Sequence, residues 1–112
     1  MDFPKEQVEE LKRLSPEVQG CEEGGATFFL IPQLQLPAGC KPESVDALLC
    51  PTARDGYNSR LYFAERIQSK VSPNWNGAVR IAERNWVAFS WKTPEGMRLV
   101  QMVAEHLRGL RQ

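Results

Sequence analysis

The chain has one histidine, three cysteines and no surplus charge of either sign, since fourteen Lys and Arg balance fourteen Asp and Glu. Each scarcity excludes something. Without a net positive field, nothing draws nucleic acid or an anionic membrane surface. Cys21, Cys40 and Cys50 are odd in number and contain no C-x-x-C, which fits neither a disulfide framework nor a zinc site. They read as small buried hydrophobes, and no metal or other cofactor is expected. Paired-carboxylate, H-E-x-x-H, P-loop and G-x-S-x-G patterns are absent. No run approaches the roughly 20 apolar residues of a membrane span, and the opening Met-Asp-Phe-Pro-Lys-Glu lacks the basic start and apolar run of a signal peptide. A cytoplasmic protein without membrane or nucleic-acid partners is the expectation. The lone His106, beside Glu105, shows no nucleophile or orienting partner in sequence and reads as structural.

What is present suits one domain over residues 1–112, long enough for a single core. Its centre is the stretch 45–63. Val45, Leu48 and Leu49 run into Pro51 and Asp55-Gly56, and an apolar run resumes at Leu61-Tyr62-Phe63. This predicts two strands joined by an excursion too long for a two-residue hairpin, the kind of connection where function collects. Both faces of 45–50 are mostly apolar, so that strand belongs inside the sheet, with Cys50 buried and unreactive at its end.

Residues 3–14 have helical spacing at Val8, Leu11 and Leu14, with Asp2 as a cap, Pro4 in the first turn and Ser15-Pro16 as the stop. Residues 18–25 have no period and predict a loop. The apolar run 26–31 predicts a central strand, and Pro32 and Pro37 imply an edge strand or extended segment after it. A strand is expected over 60–67, followed by a loop around Trp75 and a possible short strand over 78–82. Residues 86–91 alternate as either a strand or the wall of a site. Thr93-Pro94-Glu95 has the pattern of a helix start, and Met97, Val100, Val103, Ala104, Leu107 and Leu110 form one stripe, which predicts a helix over 94–110. The fold class is α+β: an N-terminal helix, a three- to four-stranded antiparallel meander and a C-terminal helix.

Trp75, Trp86 and Trp91 lie in the least regular part of the chain, where they fill a small core from loops or form a partner-binding surface. Ser90 reads most simply as a strand or turn residue whose hydroxyl satisfies backbone, and the run Arg80, Glu83, Arg84 as a solvated face.

From Phe28 to Leu110 the chain resembles the ubiquitin-conjugating-enzyme fold, most closely its bacterial family E branch. The resemblance is carried by Ile31-Pro32-Gln33-Leu34-Gln35-Leu36-Pro37-Ala38-Gly39, by Val45-Asp46-Ala47-Leu48-Leu49-Cys50-Pro51 with Gly56-Tyr57 after it, by Leu61-Tyr62-Phe63, and by Trp86-Val87-Ala88-Phe89-Ser90-Trp91. Asn58 stands where the family's turn has proline, and Trp91-Lys92 where many relatives place arginine-histidine. No cysteine follows Phe63, the region that carries the thioester-forming cysteine in ordinary ubiquitin-conjugating enzymes. The resemblance implies a bacterial conjugation protein that takes a ubiquitin-like tail from an activating enzyme and passes it to a protein target. With no thiol in place, Ser90 is the best-placed acceptor, as an oxyester; the resemblance implies that Tyr57, Arg84, Trp86 and Trp91 line the site or bind the partner, and that Arg84, Lys92 and the backbone around Asn85 stabilise the oxyanion. A second reading is a non-catalytic variant that binds a ubiquitin-like protein or activating enzyme through its first helix and tryptophans, and a third, unrelated to the resemblance, is a small stand-alone α+β domain of other purpose.

Overall fold

A computed structural model describes residues 3–111. Among them are two helices and six strands in the order α1 (Lys5–Leu14), β1 (Gln19–Glu23), β2 (Ala26–Gln35), β3 (Ser44–Cys50), β4 (Arg60–Phe63), β5 (Trp75–Ile81), β6 (Arg84–Phe89) and α2 (Leu99–Arg108). The strands form one sheet ordered β1-β2-β3-β4-β6-β5, antiparallel throughout. The α+β class therefore holds, with more strands than the three or four expected and with β6, not β5, beside β4.

The additional strands come from segments with little hydrophobic signal. β1 replaces the expected loop: its residues stay largely exposed, so no alternation marks it, and Gly24 and Gly25, both at positive φ, close a tight hairpin onto β2. β5 and β6 replace the expected irregular stretch. Their turn is Ala82-Glu83, both left-handed at φ 53° and 63° without the glycine or asparagine that normally announces such a turn. At the other end, β4 stops at Phe63 rather than continuing to 67.

Pro32 does not make β2 an edge. It sits at a bulge between Ile31 and Leu34, where the register to β3 shifts and Gln33 adopts φ 52°. The inserted residue returns Leu34 and Leu36 to the core face that Ile31 already occupies. Asp46 holds the bulge by accepting from the Gln33 backbone N–H at 2.9 Å and from Arg84 Nη1 at 3.0 Å. The Gln33 N–H foremost, with Arg84 adding to it, draws its carboxyl below the ordinary value against the opposing effect of burial.

α1 begins at Lys5 with Pro4 at its N-cap, and Asp2, the expected cap, lies outside the described residues. Leu11 of α1 and Leu99 and Val103 of α2 bury against one face of the sheet, on Phe29, Ile31, Ala47, Leu49, Leu61 and Phe63. The opposite face has its own core of Phe28, Leu48, Cys50, Tyr62, Ile81, Trp86 and Ala88. The first part of the 51–59 excursion lies over this second face, with the Arg54 guanidinium 5.6 Å from the centre of the Phe28 ring, and its last residues, Asn58 and Ser59, turn to Thr93 and to His106 of α2.

α2 starts at Leu99, five residues later than expected. Tertiary partners take the groups that would have capped it at Thr93: its hydroxyl meets Ser59 Oγ at 2.8 Å and its carbonyl accepts from Asn58 Nδ2 at 2.8 Å. Gly96 then turns the chain at φ 78°. The freed amides at the helix start are met instead by Gln101, whose Oε1 accepts from Arg98 N at 2.8 Å, and by Gln7 of α1, whose Oε1 accepts from Leu99 N at 3.1 Å.

Candidate functional site

Asp55 and Gly56, at φ 54° and 87°, make a two-residue turn within the excursion, closed by Arg54 N to Tyr57 O at 2.8 Å and Tyr57 N to Arg54 O at 2.9 Å. That turn fixes Tyr57 where the chain enters β4, and the Tyr57 ring lies on the Arg60 guanidinium at 4.2 Å. Ser90 follows β6 and is held by its own N–H donating to Asn74 O at 2.7 Å. Three elements distant in sequence thus converge: Tyr57 Oη and Ser90 Oγ are 2.9 Å apart, and Asn76 Nδ2 of β5 donates to Tyr57 Oη at 2.9 Å.

Behind the three lies Arg60, only 3% exposed. Its Nη2 donates to Asn76 Oδ1 at 2.7 Å and to the Phe89 carbonyl at 3.3 Å. Arginine has only donors, so the Asn76 atom facing it must be oxygen, and the amide nitrogen is left for Tyr57. The hydrogen bonds therefore run in one direction, from Arg60 through Asn76 to the phenol. Among the described residues no carboxylate pairs with Arg60, and its charge is met by carbonyl oxygens and two aromatic faces, Tyr57 and, at 5.7 Å, Tyr62. An uncompensated buried cation favours an anion beside it.

Tyr57 is the group placed to become that anion. The Ser90 hydroxyl foremost, then the Asn76 amide and, more weakly, the charges of Arg60 and Lys92 draw its pKa below the ordinary phenol value, against an opposing effect of burial. Tyr62, beneath the same guanidinium, is raised instead, because burial outweighs the cation there. Tyr57 and Ser90 are half-buried and Asn76 and Lys92 exposed, so the site opens to solvent on one side.

The structure brings together two of the residues singled out from sequence, Tyr57 and Ser90. Arg84 lies elsewhere, pairing with Asp46 and stacking on Trp86 at 4.7 Å. Trp86 is buried in the second core with its indole N–H donating to Ile81 O at 3.0 Å, which is the core-filling role. Trp75 and Trp91 pack half-buried against the first core, Trp91 Nε1 donating to Glu105 at 3.3 Å. Asn76 and Arg60 were not foreseen. A charged residue opening the otherwise apolar Arg60-Leu61-Tyr62-Phe63 run was the one available signal.

His106 occupies a separate, sealed network. Its Nε2 is 3.1 Å from Ser59 Oγ, and both side chains are buried. Burial foremost, and then the nearby Arg60 charge, hold its pKa down at about 4, against the opposing hydrogen bond to Ser59 and the charge of Glu105. This buried, neutral imidazole ties α2 to the residue that leads into β4. Cys50 is buried, as expected. Among the described residues, no group of three or more His, Cys, Asp or Glu is arranged to hold a metal, and no helix is long and apolar enough to cross a membrane. Comparison of the chain with protein-family models, curated proteins and solved structures gives no match.

Proposed function

We propose that the chain is a ubiquitin-conjugating-like domain that accepts a ubiquitin-like tail on Ser90 as an oxyester and passes it to an amine on a protein target. The observation that carries this reading is the 2.9 Å contact between Ser90 Oγ and the polarised phenol of Tyr57. A serine without a base is a weak nucleophile, and Tyr57, backed by Asn76 and Arg60, supplies the missing group. The element order also supports it: a helix, a run of antiparallel strands, and a closing helix on the same sheet face, with β5 and β6 inserted ahead of the serine.

In the first step Ser90 Oγ attacks the tail's activated carbonyl, forming the ester bond as the bond to the activating enzyme's thiolate breaks. The serine proton moves to the Tyr57 phenolate. In the second step a target amine attacks the ester carbonyl, the Oγ bond breaks as Tyr57 returns its proton to the departing alkoxide, and the proton that the nitrogen loses passes to the solvent on the open side of the site. Exposed Lys92 adds positive charge to the region in which both tetrahedral oxyanions form.

The test is to mix the protein with an activating enzyme, its ubiquitin-like protein and ATP. The expected adduct survives thiol, is cleaved by hydroxylamine and is absent from Ser90→Ala. Charging that persists in that variant removes Ser90 from the chemistry. Partner binding without charging in either protein establishes the non-catalytic binding module instead.

A further inference from the structure

We propose that the free edge of β5 is the docking surface for the extended C-terminal tail of a partner protein, which adds antiparallel to β5 and delivers its carboxyl end toward Tyr57 and Ser90. The purpose of this delivery rests on the oxyester reading above, whereas the docking itself is tested separately from it.

β5 is the outermost strand at one side of the sheet. Ile81 and Arg84 flank the two-residue turn, so bonded and non-bonded pairs alternate from there. Ile81, Val79 and Gly77 exchange their bonds with β6, and the N–H and C=O groups of Ala78 and Arg80 face outward. Edges are commonly blocked by proline or charge. The sequence WNGAVRI contains no proline and one charged residue, Arg80, whose guanidinium is drawn inward to Asn85 Oδ1 at 3.2 Å. At the far end of β5 the Ala82 N–H already donates to Glu23 Oε1 of β1 at 3.1 Å, so the open outward groups are those of Ala78 and Arg80.

Direction follows from chain polarity. β5 runs from Trp75 to Ile81, and the Ser90 end of β6 lies beside Trp75, with Phe89 paired to it. An antiparallel strand therefore ends, carboxyl last, at the site, while a parallel one would begin there with its amino group. Charge decides between them: Arg60, buried without a carboxylate partner, and exposed Lys92 favour a free carboxylate, or the oxyanion that forms on an activated one, and repel an amine. A strand docked on β5 lies about two interstrand spacings, roughly 10 Å, from the line of β6. About three extended residues beyond the ladder span that gap over Asn76.

The probe is the peptide Thr-Val-Thr-Val-Thr-Gly-Gly-Gly, a β-prone ladder segment followed by three residues small enough to cross the Asn76 rim. Saturable NMR shifts are expected at the Ala78 and Arg80 amides and at Ser90. Amidating the peptide's C-terminus weakens binding about tenfold, the size of one charge-assisted contact. Ala78→Pro removes an outward N–H but no bond to β6, and lowers affinity by about tenfold as well. Should that variant not fold, methylating the peptide's own amides decides: alternate positions abolish binding and the intervening ones leave it intact. Unperturbed Ala78 and Arg80 amides at millimolar peptide, equal binding of acid and amide, or indifference to methylation overturns the proposal. Docking lost while Ser90 still charges removes the edge alone, and docking without charging removes the oxyester reading alone.

Discussion

Gly77 lies directly against the Arg60 guanidinium: a Cβ at that position would stand 2.9 Å from Nη2 and 3.0 Å from Cζ and Nη1. The guanidinium has little room to give, since Asn76, the Phe89 carbonyl and two rings hold it. Gly77→Ala is therefore expected to dislodge Arg60 from Asn76, at a cost of about 1–3 kcal/mol in stability for overpacking. The chain has two tyrosines, so ultraviolet titration reads both phenols. In the wild type, Tyr57 titrates below the ordinary phenol value and Tyr62 above it. In Gly77→Ala the lower step moves up, and in Tyr57→Phe it disappears.

Gly109 offers a contest between two effects of known size. Its φ of −62° is helical, so alanine would gain up to about 1 kcal/mol by propensity. A Cβ there, however, would stand 2.6 Å from Phe89 Cε1 and 3.1 Å from the Trp91 indole. Both rings pack against the first core, so overpacking wins and Gly109→Ala is expected to lower the denaturant midpoint. A raised midpoint would show that the Trp91 corner yields freely.

His106 links stability to pH. Its pKa falls from 6.5 to about 4 on folding, so the unfolded chain binds the proton more readily between these values. Its contribution is fully present above about pH 6.5 and is lost as pH falls toward 4, by roughly 3 kcal/mol in all. Urea unfolding of wild type and His106→Gln across this window should show the wild type losing more stability on acidification. Parallel curves would mean that the imidazole is not buried.

The elements legible in the sequence were those whose own residues dictate them. Val8, Leu11 and Leu14 mark α1, and the apolar alternation of 45–50 marks an interior strand, because local period and burial agree there. β1 leaves no mark in the sequence because an exposed strand needs no alternation, and the Ala82-Glu83 hairpin leaves none because its turn residues carry no signal. The Thr93 cap pattern was sound chemistry that Ser59 and Asn58 outcompeted. At the site, Tyr57 and Ser90 were both visible, but their contact was not. It depends on β6 crossing to the side of β4, a pairing recorded by the single register Phe63 to Val87. Asn76 and Arg60 belong to the same long-range arrangement, which no local pattern encodes.

The most direct test of the Ser90 and Tyr57 assignment needs no partner protein. p-Nitrophenyl acetate supplies an activated carbonyl; attack by Ser90 Oγ releases p-nitrophenolate and leaves an acetyl ester that peptide mapping locates. The expected result is acetylation at Ser90, with a rate that rises with pH and levels off at the lower phenol step of the tyrosine titration. In Tyr57→Phe that rate falls about a hundredfold and loses its plateau. Acetyl groups found only on lysines or on Tyr57, or a Tyr57→Phe variant that labels Ser90 at the wild-type rate, would contradict it.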